Sequence, residues 1–287
     1  MVRYRDIKES LVLEVSGLSR SVDLLYVTDT HAVLIDERDG DRRACAERER
    51  ARITRPDPPA SSILDSAVAS VRAGEVEVVV LGGDILHFPT VANLELLAAS
   101  LEALGERGFF VMGNHDWLYP DEPYDEETRA MRYPLFRSLL GHEPAFRVLE
   151  LDEVRLLGLD NSVYEVSDAQ LELLANALRD GKPSLLFLHV PVLTPALAPL
   201  VIEHKRAPIV MGASAVWRKV TPEMWRATEP SAATRELCRL LVSPASESIL
   251  AILAGHLHFT HASEYRPGRR QFISPRSSSR AVRLLPA

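Results

Sequence analysis

Five short apolar runs, each stopping abruptly at a polar turn, constrain this chain most. Val22 to Val27, Val76 to Leu81, Phe109 to Met112, Leu185 to Leu188 and Ile249 to Leu253 are nearly continuous in apolar residues. Runs of that length and character predict strands buried on both faces. Between them lie segments of helical period, so strand–helix–strand alternation predicts a largely parallel α/β sheet. Ligands of such sheets collect at the carboxyl ends of the strands. The points where the runs stop are therefore where chemistry is sought.

The helical segments carry their own punctuation. Ser62-x-x-Asp65 is a capping-box variant opening a helix from Ser62 to Ala73, with Gly74 as its stop. Thr90 caps a helix over Val91 to Leu104, and Gly105 ends it. Ser167-x-x-Gln170 opens another, closed by Gly181 and Pro183, and a further helix spans Ala232 to Val242. Phe146 to Leu151 and Val154 to Leu159 read as a hairpin around Asp152-Glu153. From Thr260 onward the alternation suits antiparallel strands. Arg266, Arg269, Arg270, Arg276 and Arg280 there suggest a solvated basic face or an anion contact.

Three stretches interrupt the pattern. Residues 36–60 are charged and then rich in proline, an exposed insertion with some helix. Residues 117–143 are acidic with three prolines and read as an irregular solvated loop. Residues 193–230 mix His204, Lys205, Arg206, Arg218 and Lys219 with Ile209, Met211, Trp217 and Trp225, which suits a lid, an oligomer contact or ordinary packing.

Composition bears on partners and surroundings. A net charge of −7 gives no general attraction to nucleic acid. Two cysteines, Cys45 and Cys238, are too few for a disulfide framework and are expected as free thiols. The charged start, Met1 to Ser10, has no signal-peptide core, and no run approaches the ~18 apolar residues of a membrane span. A cytoplasmic protein is the expectation. The chain has neither a glycine-rich phosphate loop followed by lysine nor a Gly-x-Ser-x-Gly elbow, which removes two common catalytic readings.

The strand ends carry metal-ligand and proton-transfer chemistry instead. After the first run comes Thr28-Asp29-Thr30-His31, where an extended backbone would aim Asp29 and His31 the same way. The second leads into Gly82-Gly83-Asp84-Ile85-Leu86-His87, and the third into Gly113-Asn114-His115-Asp116, where glycine suits a sharp turn. The fourth ends at His189, and the last at Gly255-His256-Leu257-His258. Each piece occurs widely by itself.

In this order, from about Val22 to the C-terminal strands, the pieces resemble the calcineurin-like metallophosphoesterase superfamily. The resemblance implies an α/β, four-layer metallophosphoesterase sandwich, two mixed β-sheets flanked by helices, formed as one domain over residues 1–287. It also implies two metal ions. One would be held by Asp29, His31 and His258, the other by Asn114, His189 and His256, with Asp84 bridging them. Nitrogen and oxygen donors without thiolate suit manganese, iron or zinc. A water between two such ions would attack phosphorus in line. In this scheme His115 faces the phosphate, and Asp116 supports the loop.

His87 stands where the superfamily's protein phosphatases carry an aspartate. Its segment is instead similar to that of the superfamily's DNA-repair nucleases, in which the histidine assists the leaving group. The implied activity is hydrolysis of a small phosphate ester, with a phosphodiester or nucleotide-like substrate preferred. A phosphomonoesterase, a nuclease and a non-catalytic scaffold are the alternatives. The complete ligand set speaks against the scaffold, and the acidic charge against the nuclease.

Overall fold

The computed structural model describes residues 2–7, 9–53, 57–213 and 229–287. The strands in chain order are β1 (Val2–Ile7), β2 (Ser10–Val15), β3 (Val22–Thr28), β4 (Val78–Leu81), β5 (Gly108–Phe110) and β6 (Phe146–Leu151). They continue with β7 (Val154–Leu159), β8 (Ser184–Phe187), β9 (Ile249–Ala254), β10 (His261–Arg266), β11 (Arg269–Ile273) and β12 (Ser278–Pro286). The helices are α1 (Arg43–Arg50), α2 (Ala60–Arg72), α3 (Val91–Leu104), α4 (Asn114–Trp117) and α5 (Glu126–Leu140). After them come α6 (Asp168–Ala177), α7 (Leu197–Lys205) and α8 (Ala232–Val242). Trp217, Arg218, Lys219 and Trp225, singled out above, lie outside the described residues.

The chain divides into two compact units, residues 1–144 with 276–287, and residues 145–275. The first holds a six-stranded sheet in the order β1-β2-β12-β3-β4-β5. Its β3, β4 and β5 run parallel, as the apolar runs require, while β12 lies parallel to β2 and antiparallel to β3. Helix α2 covers β3 and β4, and α3 packs on α2. The second unit holds a sheet in the order β10-β11-β9-β8-β7-β6, parallel from β7 through β8 and β9 to β11 and closed at each edge by an antiparallel strand. There α6 packs on β6 and β7, and α8 on α6 and β10. Two mixed six-stranded sheets flanked by helices agree with the expected class.

The differences from the sequence reading have local causes. Strands β1 and β2 were not expected: Val2–Ile7 is an edge strand facing water, whereas Ser10–Val15 does alternate and buries Leu11, Leu13 and Val15. Helix α2 starts at Ala60 behind Pro59, with no side-chain cap, so the Ser62 capping box is not used. Residues 117–143 are not a loop throughout. Asp125 caps α5 by accepting from the Thr128 N–H at 2.9 Å, and Gly141 ends it in the left-handed region. Pro134 sits inside this helix, and the Phe136 ring stacks parallel to Phe110 of β5.

Nor is the 36–60 segment simply exposed. Asp39 is buried and accepts from the Val91 N–H at 2.9 Å, and Ala46 packs with Phe88 and Tyr119. Arg280 is likewise buried, paired with Asp6, whereas Arg266 and Arg269 both pair with Glu247.

Candidate metal centre

In the first unit the loops leaving β3 and β4 are stitched together by their backbones. Asp29 N–H donates to Gly83 O, His31 N–H to Asp84 O and Ala32 N–H to Ile85 O, at 2.8–3.0 Å. This ladder continues beyond the strands and holds Asp29, His31 and Asp84 side by side. Their backbone is not extended, as the i, i+2 argument assumed. All three have positive φ, 55° at Asp29, 47° at His31 and 51° at Asp84. In the second unit His256 and His258 are at 68° and 60°. Left-handed backbone is costly for such residues and gathers where a function compensates it. Convergence thus comes from strained turns and not from the pleat.

The side chains meet closely. One donor atom each of Asp29, His31 and Asp84 lies within 4.8 Å of the others. His31 Nε2 is 4.0 Å from Asp29 Oδ1 and 3.8 Å from Asp84 Oδ2, both too long for a hydrogen bond. Asp29 Oδ2 accepts from the Thr28 hydroxyl at 2.8 Å. Burial, and then the charge of Asp29, push the neighbouring Tyr26 phenol far above its ordinary range, which keeps it neutral. Tyr26 also explains Gly82, where an added Cβ would lie 2.3 Å from the tyrosine ring.

Gly113 is needed for space and not for a turn. Its φ of −101° is open to any residue, but a Cβ there would stand 2.2 Å from Asp84 N and 2.4 Å from Asp84 Oδ1. The Asp116 carboxylate then gathers three backbone donors, Asp84 N–H at 2.9 Å, Gly113 N–H at 2.7 Å and Leu86 N–H at 2.8 Å. This is the supporting role expected of it. His115 N–H donates to Asp84 Oδ1 at 2.8 Å, so α4 begins on the β4 carboxylate. The buried Oδ1 of Asn114 has no hydrogen-bond partner among the described residues.

Three imidazoles close this half. His31 Nδ1 and His87 Nδ1 are 3.1 Å apart, and the His87 and His115 rings stack with centroids at 4.4 Å. His115 Nδ1 reaches the His87 carbonyl at 3.2 Å. A contact between two Nδ1 atoms needs one donor and one acceptor, so the pair cannot be protonated at both.

In the second unit His189 is fully buried after β8, and Gly255 N–H donates to its carbonyl at 3.1 Å. Its ring lies edge-on to His256, centroids 5.3 Å apart, and their donor atoms come within 4.8 Å. Two residues after β7 were not foreseen. Asn161 clamps Val190 through both its amide groups, at 2.6 and 3.0 Å. Tyr164, at a φ of 66°, brings its hydroxyl to 3.0 Å from His256 Nε2. The signal was there: Val154–Leu159 is one more apolar run ending in polar residues, read only as a hairpin arm.

The profile of the calcineurin-like phosphoesterases matches residues 23–259. The chain belongs to that family. As a calcineurin-like phosphoesterase it is a hydrolase acting on phosphoric ester bonds. A purple acid phosphatase from yellow lupin seeds is similar in fold, with a TM-score of 0.52 and 10% identity over 92% of this chain and 46% of that one. A dimetal phosphatase from Danio rerio aligns over 89% of this chain and 87% of its own, at 14% identity and a TM-score of 0.45. No curated protein matches the phosphoesterase significantly. Among its described residues no helix is long and apolar enough to cross a membrane.

Proposed function

We propose that this phosphoesterase hydrolyses a small phosphodiester or nucleotide-like ester at a two-metal centre. Asp29, His31 and His258 would hold one ion, Asn114, His189 and His256 the other, and Asp84 both. The observation that carries this reading is the unpartnered, buried Oδ1 of Asn114, whose neighbour His115 donates its N–H to Asp84, an arrangement that a cation compensates. The His31 distances support it. Two donors ~2.0–2.2 Å from one ion lie less than about 4.4 Å apart, which suits His31 Nε2 facing two carboxylates beyond hydrogen-bond range. Manganese, iron and zinc all accept such nitrogen and oxygen donors.

Bound ions would supply Lewis acidity to the phosphoryl oxygens and make a water acidic enough to attack. The chain's own residues do the rest. The Asp116 carboxylate holds the Asp84 and Gly113 amides, which fixes the Asp84 carboxylate in place. A neutral His31 that donates from Nδ1 to His87 keeps its Nε2 lone pair toward Asp29 and Asp84. His115 would hold a phosphoryl oxygen or give its proton to the leaving oxygen, with His87 stacked beside it as the second proton carrier. A proton carrier serves the leaving alkoxide of either ester, and the diester preference rests on the likeness of the His87 segment to that of the superfamily's DNA-repair nucleases.

The test offers manganese-loaded protein bis-p-nitrophenyl phosphate and p-nitrophenyl phosphate in parallel. Diester turnover at least tenfold faster in kcat/KM is expected, and turnover of the monoester alone would remove the diester preference. His115→Ala is expected to keep its bound manganese and lose most of kcat. Loss of manganese instead would assign His115 to the metal.

A further inference from the structure

The first unit contains a cavity of about 290 Å³ with His31 in its lining. Its walls are Leu34 from the loop after β3, Ile53 beyond α1, Pro59 ahead of α2 and Leu96 of α3, all apolar. A cavity of roughly 150 Å³ lined by apolar groups holds a benzene molecule, so this one has room for a ring and a short chain. Ser61 and the half-buried Arg50 break the apolar lining, and Arg50 is the cation in it.

Four arginines near Arg50 in sequence are paired, while Arg48 of the same helix is exposed to water. Arg38 pairs with Asp36 and Glu95, Arg42 with Asp121 and Glu122, Arg43 with Glu47, and Arg52 with Glu49. The Arg50 side chain makes no ion pair or hydrogen bond among the described residues, and no acid lines the cavity with it. A guanidinium held against apolar walls without a counter-charge attracts an anion, and its planar fork suits a carboxylate or phosphate. His31, in the same lining, sits against His87 and, edge-on, His115.

We propose that this cavity seats the organic group of the substrate, an apolar ring or branched body bearing an acid group that meets Arg50. The proposal rests on the phosphoesterase site described above and narrows its substrate to esters with two separated anionic groups, the reacting phosphate at the metal centre to which His31 belongs and a second acid at Arg50. Apolar burial would give affinity, and Arg50 would choose among apolar groups by charge.

The experiment uses 4-phenylbutyrate and its neutral amide as probes of the manganese-loaded full chain, by titration calorimetry and as inhibitors of bis-p-nitrophenyl phosphate hydrolysis. The carboxylate is expected to bind about tenfold more tightly than the amide, in line with a charge-assisted contact. Arg50→Ala should bring that ratio to about one, Arg50→Lys should keep part of it, and Leu96→Trp should weaken both probes by filling the cavity. A preference that survives Arg50→Ala, or Leu96→Trp binding both probes as the parent does, overturns the proposal; the first result would mean that the carboxylate sits on a metal.

Failure of the underlying reading looks different. Binding with the expected Arg50 dependence, but without hydrolysis of either nitrophenyl ester, would sink the phosphoesterase substrate claim and leave the cavity as a binding site. Hydrolysis without any binding or inhibition by 4-phenylbutyrate would sink the cavity proposal alone.

Discussion

Asp116→Asn is the sharpest structural test, because it changes one atom in a side chain with no exposed surface. The carboxylate accepts from Asp84 and Gly113 at Oδ2 and from Leu86 at Oδ1. An asparagine offers one oxygen, which stays on the two-bond side and turns its NH₂ toward Leu86 N–H. That buried donor then has no acceptor, a cost of about 1–3 kcal/mol. The two surviving bonds lose their charge assistance, about 1 kcal/mol each. Relief from burying a carboxylate opposes these losses, so we expect a net cost of about 2–4 kcal/mol, large beside the ~5–15 kcal/mol stability of a typical domain. Urea unfolding of the metal-free protein, followed by circular dichroism, measures it, and manganese titration reads the displaced Asp84. A loss below about 0.5 kcal/mol with unchanged manganese affinity would refute the argument that Asp116 organises this loop.

Three other perturbations follow from contacts described above. Gly113→Ala should cost about 1–3 kcal/mol by overpacking against Asp84 and reduce bound manganese, whereas a tolerated alanine with full metal content would contradict the space argument. Tyr164→Phe removes the hydroxyl 3.0 Å from His256 Nε2 and should weaken manganese binding by roughly tenfold, and tighter binding would show the tyrosine competing for the ligating nitrogen. The Cys238 thiol is pushed up to about 11, by burial first and then by the charge of Glu165. At pH 8 that leaves roughly a hundredth of the usual thiolate, so Ellman's reagent should label it about 100-fold more slowly in native protein than in urea. The rate should climb as pH rises toward 11, and equal rates in the two states would show the thiol accessible and unshifted.

The parts of this molecule that could be read from sequence are those in which one local rule decides. Thr90 with Gly105 marked α3 to the residue, Ser167 with Gln170 marked the start of α6, and a two-residue turn set the β6–β7 hairpin. The strand ends were legible because buried parallel strands must stop where polar chemistry starts. What escaped depends on distant partners. Helix α5 hid behind Pro134 because its stability lies in Phe136 against Phe110, which no local pattern shows. The reason for Gly113 lies in Asp84, 29 positions earlier in the sequence. Asn161 and Tyr164 were passed over because one polar residue after a strand says nothing until its partner across the sheet is known.

Strand β12 gives the first unit an order of assembly. Residues 278–286 lie between β2 and β3, so two strands share a partner that follows them by about 250 residues in the sequence. On a ribosome β2 and β3 would wait through about 250 residues, a span that includes every strand of the second sheet, before their common neighbour emerged. Residues 145–275 are contiguous and can close their own sheet earlier. The strand that leads into Asp29 thus gains its β12 neighbour only after every strand of the second sheet has been made, which ties the shaping of that loop to a contact of very long sequence separation.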